Sequence, residues 1–322
     1  MSAYRVAVNM EWSSKCNARC SMCPQSMIEN PLIMKDETFY RTLERINTRD
    51  VFRTVIAGYG EPTTHPRFME YVLEVGRHPA RFDMVTNGEL LDEGKINHLD
   101  GRIGLLILSF SSIDRSVYES VHVGLNHKRV KENIILAQKL LKKTPFAISL
   151  TPLAECIETL PQTIEWLKEQ GVKLLTMSPT LYNRAGTMEE HHQATEKLRA
   201  VIKRYNLLSQ ELDFIPSARE IFQQTWKNSF RCIPRNTDLF ITAEGEYMYC
   251  YNDITHKNTL ASVNDLSIRK ALEMRELTGP IPEICDGCNM RDRYRLKEVA
   301  GVMGRYVKGM VMSTLTGSDQ GK

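Results

Sequence analysis

Through the first two-thirds of the chain, short apolar runs alternate with stretches of helical periodicity. The strand-like runs cover residues 4–11, 51–57, 81–86, 104–110, 146–151 and 173–178. The helix-like stretches cover 36–46, 67–76, 91–97, 129–143, 160–170 and 189–205, with Gly76 and Gly171 standing where helices should stop. Six strand–helix units in succession predict a parallel sheet, because parallel neighbours need a crossover between them. The expected fold class is α/β, a partial (β/α)6 TIM-type barrel with its site at the C-terminal ends of the strands. A doubly wound open sheet is the alternative, but no Gly-x-Gly-x-x-Gly follows the first strand. After about residue 214 the pattern changes. Residues 238–251, DLFITAEGEYMYCY, predict a β-hairpin turning at Ala243-Glu244-Gly245 inside a small α+β domain.

Length fits this division, since 322 residues make about two domains at roughly 150 each. The expected boundaries are a barrel over 1–213, a second domain over 214–312 closed by a helix at 294–312, and a frayed tail at 313–322. A hydrophobic fraction of 42% and a charged fraction of 25% describe an ordinary globular chain. No apolar run approaches the ~18–20 residues that span a bilayer, and MSAYRVAVNMEW lacks the layout of a signal peptide. A cytoplasmic protein with no membrane partner is expected. A net charge of +3, from 42 basic and 39 acidic residues, gives no reason to expect nucleic acid as a partner. The 15 methionines are scattered and read as packing rather than as copper ligands.

The eight cysteines carry the chemistry. In a cytosolic chain they are reduced and available to metals. They fall into two groups, Cys16, Cys20 and Cys23 against Cys232, Cys250, Cys285 and Cys288, with Cys156 alone between them. The first group is a C-x3-C-x2-C run, whose three thiolates suit one face of an iron–sulfur cube and leave one iron open. Zinc is the competing occupant, though zinc sites favour C-x2-C pairs. The four later cysteines would complete every iron of a second cube, or hold a tetrahedral zinc.

The first motif and its place just after the first strand resemble the radical S-adenosylmethionine (SAM) superfamily, with Met22 where an aromatic residue is usual. The resemblance implies that Cys16, Cys20 and Cys23 hold a [4Fe–4S] cluster whose open iron takes SAM. An electron then splits the sulfonium to a 5′-deoxyadenosyl radical, which abstracts hydrogen from a substrate. Further segments are similar to family motifs at successive strand ends. Gly58-Tyr59-Gly60-Glu61-Pro62 resembles the segment that holds the SAM amino group through Gly60 and Glu61, with Tyr59 in place of a glycine. Thr86-Asn87-Gly88 and Ser109 resemble SAM-contacting positions, and His122 falls near the place of an arginine for the SAM carboxylate. Arg184, in Asn183-Arg184-Ala185-Gly186, is a candidate for substrate or SAM. Read without the family, Gly60-Glu61-Pro62 is equally an ordinary turn, and His122 and Arg184 are surface residues.

The later cysteines, C-x12-G-x4-C through Gly245 followed by C-x2-C, resemble the SPASM/twitch auxiliary-cluster domain, cut to one cluster because no cysteine follows Cys288. The implied cofactors are SAM and two [4Fe–4S] clusters, and the implied electron donor is a flavodoxin or ferredoxin. A closed auxiliary cluster suits electron transfer, as in the family's dehydrogenase that oxidises a secondary alcohol of an amino-cyclitol. The expected activity is therefore oxidation of a small polar substrate: a sugar, cyclitol or nucleoside-like compound. The alternatives are a peptide-modifying enzyme, epimerase or decarboxylase, and a zinc or iron–sulfur protein without activity. Only 15 residues precede Cys16, so no N-terminal peptide-recognition domain is expected. Cys156 reads first as a buried packing residue, and second as a thiol that returns hydrogen to a substrate radical.

Overall fold

A computed structural model describes residues 5–150, 153–177, 192–205, 207–209, 232, 238–254 and 256–286. Its strands form one sheet in the order β10-β9-β8-β1-β2-β3-β4-β5-β6-β7. Strands β1 (Val6–Met10), β2 (Val51–Ile56), β3 (Phe82–Thr86), β4 (Leu106–Ser109), β5 (Phe146–Ser149) and β6 (Leu174–Met177) occupy the six expected places. All neighbours from β1 to β6 are parallel. From β1 to β6 the order rises without a reversal, so among these strands there is no switch point of the doubly wound kind, and the sheet is an open barrel. A two-residue strand, β7 (Leu208–Ser209), extends it beyond β6.

Helices α1 (Asp36–Arg45), α2 (Phe68–Arg77) and α3 (Glu93–Leu99) follow the first three strands. Helices α4 (Arg115–Val121) and α5 (His127–Leu140) together follow β4, and α6 (Ala154–Ile157) and α7 (Leu160–Glu169) follow β5. Helix α8 (His192–Tyr205) lies between β6 and β7. The 3.6-residue pattern misses α4, which is only seven residues long and starts from a cap, the Asp114 side chain accepting from Val117 N–H. Residues Val6, Ala7, Val8 and Met10 of β1 are fully buried, as both faces of a covered parallel strand must be.

The C-terminal hairpin joins the barrel sheet. Strand β8 (Asp238–Ile241) pairs parallel with β1, Ala7 opposite Asp238 through Met10 opposite Ile241. Strands β9 (Glu246–Met248) and β10 (Thr259–Ser262) add to it antiparallel, so the hairpin prolongs the barrel sheet. Helix α9 (Ile268–Leu277) is tied to the barrel by Arg269 on Asp50, and Arg45 Nε donates to Val263 O at 2.7 Å. A short helix, α10 (Pro282–Cys285), ends the described chain. Among the described residues no helix is long and apolar enough to cross a membrane. The boundary near 213, the closing helix at 294–312 and the tail lie outside the described residues.

An aromatic cluster fixes the start of the loop after β1. Trp12 meets Phe39, Phe68 and Tyr71 edge-on at 6.0, 6.2 and 5.4 Å, and Phe39 stacks on Tyr71 at 3.7 Å. All four are buried. Replacing Phe39 with Ala should cost about 3–5 kcal/mol through lost burial and the cavity left behind, read as a lower urea midpoint. A change below about 1 kcal/mol would show that the cluster does not anchor this region.

Candidate active site

The cysteine loop leaves the C-terminal end of β1 and is closed on itself at its base. Met34 N–H donates to Trp12 O at 2.9 Å, Ser14 N–H to Leu32 O at 2.9 Å, and Leu32 N–H to Ser14 Oγ at 2.6 Å. Within it, Cys23 N–H donates to Cys20 O at 3.0 Å, a turn that brings the last two cysteines to one side. Ala18 N–H points at Cys16 Sγ at 3.4 Å. The three thiols lie within electrostatic reach of one another. Burial pushes the Cys20 thiol up to about 12, and the neighbouring Cys23 and Cys16 push the same way. Cys16 rises to about 11, again first through burial. Three soft donors this close, two of them pushed up by burial, suit a bound cation that would compensate their charge. They fit three corners of an iron–sulfur cluster.

The loop after β2 supports this one by direct backbone contact. Glu61 N–H donates to Lys15 O at 2.9 Å, and Ser13 Oγ meets Thr64 Oγ1 at 2.9 Å. A side chain at Gly60 would put Cβ 2.3 Å from Ser13 O and 2.4 Å from Lys15 O, so only glycine admits the cysteine loop here. Glu61 is buried and its carboxylate is mostly occupied. Oε1 accepts from Thr63 N–H at 3.2 Å, Thr63 Oγ1 at 2.6 Å and Thr86 Oγ1 at 2.7 Å, while Oε2 accepts from Asn87 N–H at 2.7 Å. Burial raises its pKa against these opposing hydrogen bonds. Oε2 keeps lone pairs for a further donor. Asn87 Nδ2 donates to Asn17 Oδ1 at 2.8 Å, and Asn17 Nδ2 to Glu89 Oε2 at 2.8 Å. Thus Cys16, Cys20, Cys23, Gly60, Glu61 and Asn87 come together at one end of the sheet.

His122, at the end of α4, also reaches the site. It is 1% exposed, and its Nδ1 lies 3.4 Å from Cys20 Sγ. Burial pushes its pKa down to about 4, leaving a neutral ring at pH 7. Ser109 stands at the end of β4 in register with Ser149 of β5. Cys156 is fully buried beside Met22, Val117, Val121 and Leu153. Burial pushes its thiol up to about 11, with the Ser111 hydroxyl pulling the other way. Arg184 lies outside the described residues.

Three of the four later cysteines also meet. Cys232 and Cys285 are buried around Tyr249, with Cys250 packed against them. Cys250 sits two residues beyond β9 rather than on it, because the strand gives way to a turn: Tyr249 N–H donates to Asn258 O and Asp253 N–H to Cys250 O, each at 3.1 Å. Tyr249 Oη donates to Gly279 O at 2.8 Å, which draws the segment leading to Cys285 onto the hairpin. Cys288 lies outside the described residues.

Sequence reasoning missed Glu11. Its carboxylate, 1% exposed just past β1, accepts from Tyr59 N–H at 2.7 Å and from Ala243 N–H at 3.3 Å, joining the β2 loop to the hairpin turn. Only its place next to a strand end could have marked it. Tyr59 itself packs edge-on against Phe240 at 5.5 Å, so the residue that departs from the expected glycine fastens the same two parts.

Burial raises the Glu11 pKa to about 7 from the ordinary 4.5 of a free carboxyl. The folded chain therefore keeps a proton that the unfolded chain has lost, and stability falls as pH rises from 4.5 to 7, by roughly 3 kcal/mol from this group. Denaturation across this range should show that loss in the wild type and not in Glu11→Gln; parallel curves would refute it. Gly60→Ala should destabilise by about 1–3 kcal/mol, since its Cβ meets backbone that cannot turn aside; an unchanged melting temperature would count against the close approach.

Residues 10–167 match the model of the Radical SAM superfamily. The chain is 26% identical over 181 residues to a tungsten-containing aldehyde ferredoxin oxidoreductase cofactor-modifying protein of Pyrococcus furiosus, covering 53% of this chain and 51% of that one. It spans about half the length of the curated relatives it matches. In fold it is similar to Streptococcus suis SuiB bound to precursor peptide SuiA, with a TM-score of 0.66 and 14% identity over 84% of this chain and 65% of that one. It is also similar to BtrN in complex with AdoMet and 2-DOIA, with a TM-score of 0.55 and 18% identity over 90% and 94% of the two chains. With the three-cysteine loop inside the matched segment and the parallel sheet beneath it, residues 10–167 of this chain belong to the radical SAM superfamily.

Proposed function

We propose that this chain is a radical SAM oxidoreductase with two [4Fe–4S] clusters that oxidises a small polar substrate, a sugar, cyclitol or nucleoside-like compound. The observation that carries the reading is the convergence of Cys16, Cys20 and Cys23 beside Glu61 and Asn87 at the C-terminal end of the sheet. When bound, the pair of clusters supplies the electron that splits the SAM sulfonium and the sink for the electron left after a substrate C–H hydrogen is taken. Cys16, Cys20 and Cys23 hold the first cluster. Glu61, fixed by its own hydrogen bonds, offers Oε2 to the SAM ammonium, a charge-assisted contact that needs no rearrangement. Asn87 is fixed by Asn17 and orders the same edge, and Ser109 lies at the end of the neighbouring strand β4. Cys232, Cys250, Cys285 and Cys288 hold the auxiliary cluster, supported by the packing of the first three around Tyr249.

A peptide substrate is the second reading. It is favoured by the likeness to SuiB with its bound precursor peptide, whereas the likeness to BtrN with AdoMet and 2-DOIA favours the first.

Anaerobic reconstitution with iron and sulfide should load about eight irons per chain, and reduction with SAM present should release 5′-deoxyadenosine. Cys20→Ala should lose that release. Cys285→Ala should fall to about four irons while still cleaving SAM. Zinc in place of iron, with no 5′-deoxyadenosine, would overturn the reading.

A further inference from the structure

We propose that His122 is a positioning residue that donates a hydrogen bond from Nδ1 to the sulfur of Cys20 and so sets the reduction potential of the cluster that cleaves SAM. The inference rests on the reading of Cys16, Cys20 and Cys23 as cluster ligands.

The backbone makes the contact specific. Arg19 N–H donates to Val123 O at 2.7 Å and Ser21 N–H to Val121 O at 2.8 Å. These two bonds bracket Cys20 on one segment and His122 on the other, and so hold the two residues beside each other. The ring is then held from its other side. It stacks on Tyr118 with centroids 4.6 Å apart, and His122 N–H donates to Tyr118 O at 2.7 Å. The imidazole therefore has little freedom to turn away from the sulfur.

The proton's place follows from the donor set. A thiolate that ligates iron has no proton to give, and a neutral imidazole carries one N–H. With that N–H on Nδ1 it points at Cys20 Sγ, 3.4 Å away. With it on Nε2, an N–H would be buried where no acceptor exists among the described residues, and a bare nitrogen would face a thiolate. The first tautomer is the one the site can hold. A hydrogen bond to a ligand sulfur stabilises the reduced cluster more than the oxidised one, because reduction adds negative charge to the sulfurs, and the potential rises.

The test is a redox titration of the reconstituted full chain, following the electron paramagnetic resonance signal that changes when SAM is added. That change separates the SAM-binding cluster from the auxiliary one. His122→Phe keeps the stacking and removes the N–H, and should shift the midpoint to a more negative potential. His122→Gln, whose amide reaches past the Nδ1 position, should shift the same way. His122→Asn, whose Nδ2 sits near the imidazole Nδ1, should hold the wild-type value. If His122→Phe loads no iron, the difference between Asn and Gln decides the matter alone. Equal potentials in all loaded variants, or an Asn variant shifted as far as Gln, would overturn the assignment. A wild type with no SAM-sensitive signal would instead overturn the cluster reading beneath it.

Discussion

The close approach of two loops at Gly60 is the constraint on which the site depends. The carbonyls of Ser13 and Lys15 occupy the space where any other residue would carry Cβ. Once the loops are pressed together, Glu61 N–H closes on Lys15 O, and Glu61 is delivered to the edge beside Cys16. The position of the first cysteine and that of the carboxylate are thus one geometric fact. The aromatic cluster under Trp12 acts one step earlier, fixing where the loop leaves the sheet.

A second set of contacts joins this arrangement to the hairpin. Glu11 receives one amide from each side, and Tyr59 meets Phe240 above it. Tyr249, around which Cys232 and Cys285 are buried, directly follows β9 of the same sheet.

Much of the barrel was legible in the sequence because buried parallel strands are continuous apolar runs with strong ends, as at 51–57 and 146–151. Helix α4, Arg115–Val121, was not. The cysteine spacing showed which residues gather but not what surrounds them. His122 was legible only by its approximate place in a family pattern, and its contact with Cys20 comes from a backbone pairing with no local signature. Glu11 gave no signal because the loop after β2 and the hairpin turn that enclose it both lie far away in sequence. The pairing of β1 with β8 was hidden for the same reason, and the hairpin looked like a unit of its own.

That pairing has a consequence for how the protein is made. Strand β1 lies inside the finished sheet, with β2 on one side and β8 on the other. On the ribosome β2 arrives early, whereas residue 241 is the last of β8 to be made. At ~5–20 residues per second, the free side of β1 waits roughly ten to forty seconds. For that interval an apolar strand presents unpaired amides and carbonyls to any neighbour, including a second nascent chain. The hairpin is thus also a late cover for the chain's own first strand, and premature termination before it would leave a barrel with an adhesive edge.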